Sequence, residues 1–168
     1  MNMDKLYNFM ICAGTRRLGT RRLMGFTLIE IILSVAILGI LAGIAIPLYA
    51  GYMDKTRFEI AIADVRTCSS ELTTFFANRN TYPESLAEVR CGTYRDPWGN
   101  PYQYLNIQTA KNKGEMRKDR FLVPINSDYD LYSMGKDGQS VPALTASVSR
   151  DDIIRANDGA YIGPAEGF

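Results

Sequence analysis

From Phe26 to Met53 the chain runs 28 residues with a single charge, Glu30, and Ile31 to Ile46 is almost wholly aliphatic. About twenty consecutive apolar residues make a helix long enough to cross the hydrocarbon core of a bilayer. A removable signal peptide would end in small residues followed by a polar mature start. Here Ala50-Gly51 leads straight into further helical pattern from Tyr52, so the segment is expected to be retained. Charge orients it. The first 25 residues carry Lys5, Arg16, Arg17, Arg21 and Arg22 against Asp4, a net +4, which leaves −3 for the rest of a chain of net +1. Lys and Arg beside a membrane helix stay on the cytoplasmic side, so the body is expected in the periplasm or outside.

Composition narrows the chemistry. The chain has no histidine, which removes Ser/His/Asp and Cys/His relays and histidine-bearing zinc sites. Its three cysteines, Cys12, Cys68 and Cys91, lack the number and CxxC spacing of a thiolate metal centre. No glycine-rich phosphate loop and no nucleophile beside an evident base is present, so a membrane-tethered enzyme or ligand-binding module is disfavoured.

The junction Arg21-Arg22-Leu23-Met24-Gly25-Phe26-Thr27-Leu28-Ile29-Glu30 resembles the leader and mature start of type IV pilins and pseudopilins. That resemblance implies a leader of residues 1–25 and a membrane-spanning, filament-core half-helix of residues 26–50. Residues 51–168 would form a periplasmic globular domain. It further implies cleavage by an aspartic prepilin peptidase between Gly25 and Phe26, with N-methylation of Phe26. Cys12 would leave with the leader. Glycine offers no side chain to obstruct a protease reading an extended segment.

Glu30 bears on the same reading. A carboxylate at the membrane centre costs about 2.5 to 3.5 kcal/mol on insertion scales and asks for a partner. The amine freed at Phe26, with a pKa of about 8, is such a partner. Two arrangements are open: the amine of the same chain, one helical turn away, or that of a neighbouring subunit. The resemblance implies the neighbour's. Gly39 and Gly43 have the spacing that lets helices approach closely in lipid. Pro47 crowds the carbonyl of Gly43, so a kink or local melting between Gly39 and Pro47 is expected, with a role in assembly by resemblance and an ordinary interfacial proline as the alternative.

Beyond Pro47, Phe58, Ile62, Val65, Leu72 and Phe76 recur at helical spacing, a stripe that one face of a helix buries against a domain. A continuous helix over 26–78 would be roughly 80 Å long at 1.5 Å per residue. Pro83 to Val89 reads as a short helix with proline in its first turn. Cys68 lies on the stripe and Cys91 just past the short helix. A disulfide between them or two buried thiols both fit, and an oxidising periplasm favours the disulfide.

Asp96-Pro97-Trp98-Gly99-Asn100-Pro101-Tyr102 sets up successive turns, and Tyr102, Tyr104 and Ile107 then alternate as a strand. This stretch resembles the major, G-type pseudopilins of type II secretion, with Trp98 read as a core anchor. Phe121–Ile125 and Asp130–Ser133 read as two more strands. The expected fold is therefore α+β and pilin-like: a long N-terminal helix packed on a small three-stranded antiparallel sheet, with a C-terminal loop region. Lys111, Lys113, Arg117, Lys118 and Arg120 form a basic loop. Glu115 and Asp119 interrupt it, which argues for a solvated loop and against a nucleic-acid partner.

Asp130 to Gly138 again resembles the G-type pseudopilins, and the resemblance implies a calcium ion held by the Leu131 carbonyl, Ser133, Asp137, and Asp151 or Asp152. Calcium takes six to eight oxygens around one point. Gln139–Ser149 departs from the family pattern. The alternative is a solvated turn at Asp137-Gly138 with Asp151 capping a short helix over 152–156. The final six residues read as a loose tail.

The resemblance implies a structural subunit that catalyses nothing. It would self-assemble with minor pseudopilins into a helical periplasmic filament, driven by an inner-membrane assembly platform and its ATPase, and help move folded exoproteins through an outer-membrane secretin. A type IV pilus subunit for adhesion, motility or DNA uptake is the alternative.

Overall fold

The computed structural model describes residues 25–168. Residues 1–24 of the expected leader, with Cys12, Arg21 and Arg22, lie outside the described residues. Two units divide between Ile44 and Ala45, N-terminal to the 50/51 boundary expected from the sequence.

The N-terminal unit is helical from Leu28, the start of α1 (Leu28–Arg79, 52 residues), which has Pro47 inside it. Aliphatic side chains along residues 28–48 are exposed. Helix is maintained through Gly39–Pro47, so the local melting expected there is absent from the single chain. An added Cβ at Gly39 or Gly43 would meet nothing within 4 Å, so neither glycine serves packing within the chain.

In the second unit, four strands follow: β1 (Gln103–Asn106), β2 (Tyr129–Ser133), β3 (Ile153–Ala156) and β4 (Tyr161–Pro164). They form one antiparallel meander in the order β1-β2-β3-β4. Tyr104 lies opposite Leu131, Tyr132 opposite Ile154, and Ile154 opposite Gly163. The expected three-stranded sheet is thus corrected to four strands, and the membership changes as well.

Residues 121–125 form no strand. Phe121 is fully exposed, and Leu122 makes only an isolated bridge to Asp119. Residues 153–156 are strand where a short helix was an alternative. Ile153, Ile154, Arg155 and Ala156 are all buried, so β3 shows no alternation for the sequence to display. The C-terminus is no loose tail: β4 pairs with β3, and Ala165 donates its N–H to the Asp152 carbonyl at 2.8 Å. The helix expected over 83–89 shrinks to a 3₁₀ turn at Leu86–Glu88.

The sheet buries both faces. On one, Ala61, Val65, Cys68 and Leu72 of α1 pack with Tyr102, Tyr129, Leu131 and Ile153. On the other, Ile154 and Ala156 pack with Ile125, Leu144 and Ala165. Ile153 and Ile154 part to opposite faces, as the two-residue period of a strand requires. Cys68 and Cys91 are disulfide-bonded and tie α1 to the turn after Leu86. The Cys91 N–H donates to Glu71 on the same helix at 2.9 Å.

Candidate functional site

Three places carry the residues singled out by sequence. The first is the start of α1. Thr27 precedes the helix, and its hydroxyl accepts the Glu30 N–H at 3.3 Å while its own N–H reaches Glu30 Oε2 at 3.4 Å. This is a capping box, Thr-x-x-Glu, a pattern legible in the sequence but not read from it. Its contacts are long and exposed, so the carboxylate is held near the helix start with oxygens left for another donor. Gly25 and Phe26 lie just before this cap in exposed, non-helical backbone. The helix beyond is long and apolar enough to cross a membrane.

The second is the turn at 96–102. Asp96 is buried, and its Oδ1 accepts the N–H groups of Trp98 at 3.1 Å and Asn100 at 2.8 Å. Its Oδ2 accepts the Ser133 hydroxyl at 2.6 Å. One carboxylate therefore shapes the turn and fastens it to β2. Trp98 meets Phe58 of α1 edge to face at 5.1 Å, as a core anchor would. The Tyr102 hydroxyl donates to Asp64 at 2.9 Å, and burial, with that carboxylate, pushes the phenol's pKa up.

The third is the connection between β2 and β3, residues 134–152, where calcium was expected. Leu131 sits inside β2, paired with Tyr104 of β1. The Ser133 hydroxyl is engaged by Asp96 and accepts the Gly135 N–H at 3.1 Å. Asp151 Oδ2 accepts the N–H of Lys136 at 2.8 Å and of Asp137 at 3.2 Å, and Asp137 Oδ1 accepts the Gln139 N–H. Gly135 is required here: it has φ +64, and a Cβ would come within 2.5 Å of the Asp151 carbonyl. Asp137 and Asp151 share the rim of an open hollow with Glu166 and with Arg150, already a cation.

Asp152 is fully buried and turned elsewhere, paired with Arg117 and accepting the Ser140 hydroxyl at 2.6 Å. Burial raises its carboxyl, opposed by Ser140 and Arg117. Among the described residues, no three acidic or thiol side chains gather in a group that could hold a metal. So arranged, Asp152 Oδ2 is taken up by Arg117 and Ser140 and the Ser133 hydroxyl by Asp96, whereas calcium needs its oxygens around one point. Arg117, read from sequence as part of a solvated loop, is instead buried, and Asp96 and Ser140 were not singled out.

The chain is 32% identical over 140 residues to the type II secretion system core protein G of Pseudomonas aeruginosa, covering 71% of this chain and 87% of that protein. The core protein G of Aeromonas hydrophila is 30% identical over 141 residues, with 87% of its length covered. A fimbrial protein of Neisseria meningitidis is 26% identical over 135 residues, covering 80% of this chain. No family model and no solved structure matches the chain. Similarity at this level runs through most of the relatives' length, and on that footing the chain belongs to the type II secretion system core protein G family.

Proposed function

We propose that this chain is a structural, non-enzymatic subunit of the periplasmic pseudopilus of a type II secretion system. The observation that carries the reading is the N-terminal half of α1: aliphatic side chains exposed from residue 28 to 48, with one carboxylate in the first turn. Such a surface needs lipid before assembly and like helices after it.

In this reading the protein is inserted with a cytoplasmic N-terminus, held by its basic first 25 residues. Prepilin peptidase cuts between Gly25 and Phe26, and Phe26 is N-methylated. Glu30 then pairs with the Phe26 amine of a neighbouring subunit, which relieves two charges in apolar surroundings at once. Pro47 loosens the helix as subunits are drawn from the membrane into the filament. Minor pseudopilins, the assembly platform and its ATPase are the partners.

Mass spectrometry of the chain from its own cells tests the processing: the mature N-terminus should be methylated Phe26. Deleting the gene should trap folded exoproteins in the periplasm.

The similarity to a fimbrial protein supports a second reading, a type IV pilus subunit. Loss of surface pili with exoprotein release intact would decide for it.

A further inference from the structure

Arg117 is 2% exposed and lies between β1 and β2, yet its side chain collects groups from the β2–β3 connection. Nη1 donates to the Ser140 hydroxyl and, at 2.9 Å, to the Val141 carbonyl, while Nη2 donates to Asp152 Oδ2. The Ser140 hydroxyl donates to the same carboxylate. The guanidinium lies 4.0 Å from the centre of the Tyr132 ring, which covers one of its faces. Its backbone N–H is fixed by Asp130 Oδ2 at 2.7 Å. The arginine is thus anchored to β2 and reaches the interior and the far end of the loop that leaves β2 and returns as β3.

A hydroxyl, a main-chain carbonyl and a carboxylate converging on one point are the oxygen types that calcium takes. Here the point is filled by a planar cation that suits separated acceptors better than a lysine would. A divalent ion at the same oxygens would face a fixed positive charge at contact distance. Ser140 and Val141 belong to Gln139–Ser149, so that stretch supplies two of the acceptors Arg117 needs.

We propose that Arg117 is the cation that closes residues 134–152 onto the sheet, in place of a calcium ion, and that this chain keeps its fold without a divalent metal. The inference rests on the fold and the clamp, not on the filament reading.

The test is thermal unfolding of the full chain in detergent micelles, followed by near-ultraviolet circular dichroism, in chelator and in millimolar calcium. Wild type should unfold at the same temperature in both, within about 1 °C, since a ligand that binds only the folded form must raise it. Arg117→Met should lower the midpoint by roughly 10 °C or more, because it strands a buried carboxylate, and calcium should not restore it. Ser140→Ala, a milder change, should lower it by a few degrees in both conditions and serves where Arg117→Met fails to fold. A wild-type midpoint that rises clearly in calcium overturns the proposal, as does rescue of either variant by calcium or a Ser140→Ala midpoint equal to wild type.

Discussion

Replacing Asp96 by alanine should cost this protein much of its stability, and the size follows from the contacts. The carboxylate accepts the N–H groups of Trp98 and Asn100 and the hydroxyl of Ser133, in a place almost closed to water. The Ser133 hydroxyl can rotate toward another acceptor, but the two N–H groups are fixed by the turn. Each buried donor left unpaired costs about 1–3 kcal/mol, so Asp96→Ala should destabilise by about 4 kcal/mol. That is a large share of the roughly 5–15 kcal/mol that holds a domain folded. Asp96→Asn keeps an oxygen for both N–H groups and disturbs only the Ser133 contact, so it should cost about 1 kcal/mol. Urea unfolding of the full chain in micelles, followed by the fluorescence of Trp98, reads both values, since the chain has one tryptophan. An alanine variant within about 1 kcal/mol of wild type would refute the reasoning, and so would equal losses for alanine and asparagine.

Reduction of Cys68–Cys91 should lower stability by about 3 kcal/mol from the restored freedom of the unfolded chain, measured as a shift of the urea midpoint with dithiothreitol. Asp158 accepts both the N–H and the hydroxyl of Ser127, and although burial raises its carboxyl, those bonds bring it below the usual range. A depressed folded pKa means stability present above the unfolded value of about 4 and lost as pH falls through the folded one. Asp158→Asn should therefore flatten the fall of melting temperature on acidification below about pH 4, and an unchanged acid slope would count against it. Glu30→Gln should abolish the multimers trapped by chemical cross-linking of the cell envelope while leaving the circular dichroism of the body unchanged; multimers at wild-type yield would remove Glu30 from assembly.

The helix and its two halves were legible because their signals are local. An unbroken apolar run and a 3.6-residue stripe need no knowledge of what lies across the chain. Trp98 was legible as an anchor for a related reason, since the prolines and glycine around it dictate turns on their own. The strands near the C-terminus were not. Ile153 and Ile154 face opposite ways into two cores, so the stretch gives no alternation, and Asp151-Asp152 before it imitates a helix cap. Residues 121–125 mislead in the opposite sense: Phe121 and Val123 are aromatic and β-branched yet exposed on a loop, and Ile125 is buried without being in a strand.

The apolar length of α1 and the lone carboxylate in its first turn were written in residue order, because each is a property of one continuous stretch of chain. The fate of Arg117 was settled only in three dimensions. Within its own segment it is one of several basic residues beside Met116 and Lys118, with nothing to mark it for burial. Its partners lie 23 to 35 residues further along, and only the return of β3 beside β2 brings Ser140 and Asp152 to it. A buried charge is tolerated only where its counter-charge and acceptors are delivered to it, and that delivery is a property of topology.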